Sequence, residues 1–213
     1  MRELLFLLAL PFLVSTVHAG TGSAGVSASA VIREMNLART NPAAYVAHIE
    51  AMRASFHGNV RVLSGKRMVR TKEGVHALDD AIRFLNRTRP IVPLALSSGM
   101  CRAAADHCVE QADGRMGHGD VEGRMNRYGR WGVIWGENLS YGKSTARDIV
   151  LALIIDDGLP GRKHRKNIFN PAFSVAGAAY GTHARYRSVC SIEFAGAFAE
   201  RGESSETLVA RNP

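Results

Sequence analysis

The sequence predicts an α+β domain in which helices are layered on antiparallel strands, and three observations support this. Helical periodicity governs the chain as far as Ile155, most clearly where Ala146, Ile149, Val150, Leu153 and Ile154 fall at i, i+3, i+4, i+7 and i+8. After Asn170-Pro171 the period changes to two: Phe173 to Tyr180 reads as a strand, Gly181 to Tyr186 as a turn, and Val189 to Phe198 as a second strand. Helices followed by an antiparallel pair, rather than alternating with strands, exclude a βαβ repeat. At 213 residues the chain holds one well-buried domain and is short for two.

In chain order, Leu4 to Val14 is an apolar run too short to span a bilayer, preceded by Arg2 and Glu3 and followed by the small residues Val17 and Ala19. Residues 1–19 therefore read as a secretory signal peptide, and the product is expected to be exported, outside the cell or in the periplasm, and not integral to the membrane. Residues 20–28 are Gly/Ser/Ala-rich and expected to be loose. A first helix begins near Ser29, with Val31, Met35 and Ala38 on one side. Asn41-Pro42 interrupts it and caps a second helix through Tyr45, Ile49 and Met52. Residues 56–70 lose the pattern and read as an exposed insertion. A third helix starts near Thr71, with Val75, Leu78, Ile82 and Leu85 on its apolar face, and ends at Arg89-Pro90. Ser97-Ser98 opens a fourth, expected to be central, with Cys101, Ala104, Ala105 and Cys108 on one face. Val121 to Tyr128 forms a short helix, and Gly129, Gly132 and Gly136 are expected to break the chain around Trp131 and Trp135. Thr145 caps the next helix with Asp148 three residues on. Residues 200–213 form a polar tail.

Composition is that of an ordinary globular protein, 46% hydrophobic and 22% charged. The net charge of +8, unchanged by removal of residues 1–19, permits attraction to an anionic cell-surface polymer. No basic run is interleaved with aromatics, so nucleic acid is not an expected partner. Cys101 and Cys108 are seven residues apart, roughly 10 Å along a helix axis and beyond disulfide reach. Any internal bridge therefore needs Cys190, and three buried thiols are the alternative.

His118, Glu137, Asp156 and His164 punctuate the stretch from His118 to Asn170. Two imidazoles with carboxylate oxygens suit zinc or another divalent cation; the same groups equally suit an acid–base cluster in which carboxylates orient histidines. The spacing is not that of a compact His-Glu-x-x-His motif, and a lone histidine is more often a surface or core residue than a ligand.

Gly136-Glu137-Asn138-Leu139 with Tyr141-Gly142, and then His164-Arg165-Lys166-Asn167-Ile168, resemble the signature stretches of the CAP superfamily. This group comprises the cysteine-rich secretory, antigen 5 and pathogenesis-related 1 proteins, and its domain is also called SCP. Asn36 to Tyr45 is similar to the opening helix of its bacterial-type members, and the resemblance covers residues 29–199. It implies a three-layer α-β-α sandwich with a central antiparallel sheet and an open cleft lined by two histidines and two acidic residues. His118, Glu137 and His164 match three of these by motif. The fourth is normally a Glu, and none lies between Glu137 and His164; Asp156 is the substitute, with Asp157 next in line. The disulfides of animal and plant members and the cysteine-rich extension of the animal ones are absent.

The resemblance implies a secreted binding or interaction module with lipid, sterol or a protein as partner. The alternative is a secreted hydrolase, protease-like, whose His/carboxylate cluster activates water. No serine or cysteine sits in a Gly-x-Ser-x-Gly setting to serve as its nucleophile. A purely structural extracellular module is the third reading.

Overall fold

The computed structural model describes residues 26–202; the expected signal peptide and most of the polar tail lie outside them. Two helices open the chain, α1 (Ala28–Thr40) and α2 (Pro42–Arg53), joined by Asn41, whose side chain caps α2 as the sequence predicts. The insertion is a small antiparallel meander of β1 (Phe56–His57), β2 (Val60–Val62) and β3 (Met68–Arg70). Helix α3 (Val75–Arg87) starts four residues later than its composition suggests. Then come β4 (Ala95–Leu96), α4 (Ser98–Glu110), α5 (Val121–Tyr128), β5 (Gly129–Tyr141), α6 (Ala146–Ile155), α7 (Lys163–Ile168), β6 (Val175–His183) and β7 (Arg187–Glu200).

The main sheet runs β4-β6-β7-β5, antiparallel throughout except for the short parallel pairing of β4 with β6. Strand β5 corrects the sequence reading, because the glycines expected to break the chain lie within its longest ladder. Glycine weakens a strand without forbidding it, and β7 supplies partners along nearly the whole length. The one irregularity is a register shift between Gly132 and Trp135, where Val133 takes φ +72° and stands 86% exposed. The β6–β7 turn is also tighter than expected, since β6 continues to His183.

Alternation sorts the sheet into two faces. Ala176, Ala178, Cys190, Ile192 and Phe194 join a core built with α1, α2, α3 and α6. Helix α6 is apolar nearly all round and is buried there, capped by Thr145 accepting from Asp148 N at 3.0 Å. On the other face lie α4 and α5, with Met100, Ala103, Val121 and Met125 against Ala195. Helix α4 approaches the sheet so closely that a Cβ on Gly177 would come within 2.3 Å of its backbone. Its buried face carries Met100, Ala103, Ala104, His107 and Cys108, while Ala105 turns outward, contrary to the sequence reading. Together these give the three-layer α-β-α sandwich. All three cysteines are free: Cys190 faces the α6 side and Cys108 the α4 side, so the sheet separates them.

Arg39 ties the α6 layer together. It is fully buried and donates to four carbonyls: Val92 at 2.9 Å, Ile168 at 2.7 Å, Asn170 at 3.1 Å and Phe173 at 2.9 Å. Burial lowers its pKa to about 10, which still leaves it charged at neutral pH. Replacing Arg39 with Met strands several buried acceptors at about 1–3 kcal/mol each, and Lys restores only part of the fork. Urea unfolding is expected to show a loss of roughly 3 kcal/mol or more for Arg39→Met and a smaller one for Arg39→Lys; an unchanged midpoint in Arg39→Met would contradict this role.

Candidate functional site

The cleft straddles the edge strand β5. On one side, His118 sits in the connection between α4 and α5, which leaves α4 through Gly114 and Gly117, both at positive φ. On the other side, α7 carries His164. Between them β5 presents Glu137 toward α4 and α5 and Asn138 toward α7, as alternation along a strand requires. Gly136 permits the close approach of α7, because a Cβ there would stand 3.0 Å from the Phe173 ring and 3.5 Å from Asn167 Nδ2.

The Gly-Glu-Asn and His-Arg-Lys-Asn-Ile stretches are clipped to each other. Asn138 Nδ2 donates to the His164 carbonyl at 3.0 Å, and Asn167 Nδ2 donates to Asn138 Oδ1 at 2.8 Å and the Glu137 carbonyl at 3.2 Å. Arg165 faces the other way, with Nε on the Ile154 carbonyl at 2.5 Å and Nη2 on that of Ile155 at 3.1 Å. It also pairs with Asp80 at 2.9 Å, so it seals the end of α6 and fixes the start of α7.

Both histidines are held by a carboxylate on the same ring atom. His118 Nδ1 lies 2.5 Å from Glu137 Oε2, and His164 Nδ1 lies 2.7 Å from Asp156 Oδ1. Asp156 ends α6 in the left-handed region at φ 55°, which swings its short carboxylate toward α7, and its second oxygen accepts from His164 N at 3.0 Å. Asp157 is turned away and accepts from Lys72 N and Glu73 N at 2.7 and 2.8 Å. Each histidine keeps Nε2 without a protein partner among the described residues. Both histidines line one cavity of about 420 Å³, together with Glu137, Leu159, Lys163, Lys166 and Asn167. Asp156 lies behind His164, outside the cavity wall. Among the described residues no three His, Cys, Asp or Glu side chains converge as a metal cage.

Sequence reasoning missed the cluster beneath Glu137. Its Oε1 accepts from Arg124 Nη2 at 2.8 Å and Ser191 Oγ at 3.2 Å, and the Glu137 and Arg124 side chains are each 1% exposed. Glu193 stands directly across the ladder from Glu137, where two like charges would repel. Burial and the Glu137 charge push the Glu193 carboxyl well above its ordinary value. The available signal was the polar pair Ser191 and Glu193 on one face of a strand now known to be covered on both sides. Nothing in its local pattern marks Arg124.

The hydrogen bond to Glu137 raises the pKa of His118, working against desolvation. The folded protein therefore holds this proton more tightly than the unfolded chain. The resulting stabilisation is fully present below the ordinary imidazole value, about 6.5, and is lost as pH rises through the folded one. With the His118 side chain 56% exposed, the contribution is small. Titration followed by NMR is expected to place His118 above its ordinary value and Glu137→Gln closer to it; an identical titration in both proteins would contradict this pairing.

Against known proteins, the profile of the cysteine-rich secretory protein family, CAP, matches residues 35–194. Among solved structures, the chain is similar to a cysteine-rich secretory protein from Staphylococcus aureus subsp. aureus at 15% identity and TM-score 0.39, covering 58% of this chain and 38% of that one. It is also similar to an outer surface protein from Borrelia burgdorferi at 13% identity and TM-score 0.39, covering 57% of this chain and 89% of that one. The aligned part thus spans less than half the length of the staphylococcal protein. None of the curated proteins compared matches the chain. With its signature stretches clipped across one edge strand and the profile matching most of its length, the chain belongs to the CAP family.

Proposed function

We propose that this protein is an exported CAP-domain binding module whose cleft takes a divalent cation on His118 and His164. The observation that supports this reading is the repeated Nδ1–carboxylate pairing. A carboxylate that accepts from Nδ1–H fixes the tautomer and leaves the Nε2 lone pair as the donor, the arrangement that metal-binding histidines use. Glu137 and Asp156 therefore act as orienting groups behind the ligands, and the fourth-corner aspartate fulfils that role despite its shorter side chain. The residues fit a loosely held cation with two protein ligands and open positions, not a closed structural zinc site.

Such a cation would supply Lewis acidity to whatever shares the cleft. Glu137 and Asp156 keep the two imidazoles oriented, Asn138 and Asn167 hold α7 at its distance from β5, and Arg124 balances the Glu137 charge. Among the described residues, no Ser, Thr or Cys lines the cavity. Burial raises the Cys108 thiol to about 11 and that of Cys190 further, so neither is poised as a nucleophile. These facts favour binding over nucleophilic hydrolysis. Among the described residues Leu159 is the one aliphatic side chain in the lining, which suits a small polar ligand better than a sterol or lipid chain.

Calorimetric titration with cobalt(II) is expected to give one site per chain. His118→Ala and His164→Ala should each weaken it at least tenfold, and Asp156→Asn by on the order of tenfold. Affinity should rise with pH as the His118 proton becomes easier to displace. Parental affinity in the two alanine variants would exclude the cleft as the cation site.

A further inference from the structure

The charges in the cleft lead past the cation. Lys163 and Lys166 stand at i and i+3 of α7 and both line the cavity, and neither ammonium makes an ion pair or hydrogen bond among the described residues. Lys163 is close enough that its charge disfavours protonation of His118. The one acid in the lining, Glu137, already gives Oε1 to Arg124 and Ser191 and Oε2 to His118. Asp156 is committed to His164, and Asp157 to the backbone of Lys72 and Glu73. These three carboxylates are thus already engaged, while two lysines line the cavity with no ion pair among the described residues. Loading a divalent cation adds to this positive charge.

We propose that the cleft binds a small phosphorylated molecule, a phosphomonoester whose dianionic head is held by Lys163 and Lys166 in the cavity that these lysines share with His118 and His164. Two lysines recognise phosphate as point charges, and this contact asks for no donor from either imidazole. A cavity of about 420 Å³ accommodates the phosphate and a compact remainder, with Leu159 against the non-phosphate part. This rests on the cleft proposed above as the binding site, but the lysine contact does not require a metal.

The test uses the full domain stripped of metal, titrated with inorganic phosphate while the ring signals of His118 and His164 are followed by NMR. Saturable shifts of both rings are expected, with affinity at least tenfold weaker in Lys163→Gln/Lys166→Gln. Acetate, carrying a single charge, should bind more weakly than phosphate. Since both lysines are exposed, the double variant should fold, and its cobalt(II) affinity should be equal to or better than the parent's. Phosphate shifts confined to basic residues elsewhere, equal phosphate affinity in parent and double variant, or acetate binding as well as phosphate would overturn the proposal. Failure of cobalt(II) to bind the parent would defeat the cation reading alone, because the phosphate titration is made without metal.

Discussion

A single buried carboxylate, that of Glu137, sets the terms for the rest of the cleft. Its side chain is almost wholly removed from water, and an isolated ionised group in that setting would cost many kcal/mol. The fold meets this with Arg124 from α5, Ser191 from β7 and His118 from the connecting loop. Removing Arg124 would leave an unpaired buried charge, a loss of about 3–5 kcal/mol. Burial and the Glu137 charge on the same rung push the carboxyl of Glu193 opposite well above its ordinary value. Helix α5, strand β7 and the His118 loop are therefore positioned by one electrostatic requirement, and the imidazole is oriented as a consequence.

The other wall of the cleft depends on backbone carbonyls more than on opposed charges. Helix α7 is only six residues long and would not persist alone. Arg165 binds the carbonyls at the end of α6, Arg39 binds those of Ile168 at the end of α7 and Asn170 beyond it, and Asn138 and Asn167 attach α7 to β5. Within that frame Asp156 reaches His164 despite being one methylene shorter than glutamate, since the left-handed backbone at its position makes up the distance. Each wall thus arrives at the same result, a carboxylate on Nδ1, by a different structural route.

Much of this was legible in the sequence, and the parts that were not share a physical cause. The helices announced themselves through amphipathic spacing and caps, as with Thr145 and Asn41, and these are local features. The two histidines and Glu137 were legible only through a motif resemblance, because their own spacing has no helical or strand logic. Strand β5 was obscured because three glycines read as punctuation when a partner strand outweighs their local preference. Arg124 was invisible for the same reason, and Ser191 and Glu193 showed only as a polar pair on one strand face: their roles come from cross-sheet neighbours contributed by distant segments. Of the two outcomes left open for the cysteines, the free thiols hold, because Cys190 lies on the α6 side of the sheet and Cys108 on the α4 side, a relation between faces that spacing along the chain does not carry.

The central claim is that Glu137 and Asp156 impose one tautomer on both cleft histidines, presenting a lone pair at each Nε2. Long-range proton–nitrogen correlation spectra of the ring nitrogens, recorded on metal-free protein at a pH where both imidazoles are neutral, measure this directly. The account predicts that His118 and His164 both carry their proton on Nδ1 and show an unprotonated Nε2. A protonated Nε2 on either ring in the neutral state would contradict it.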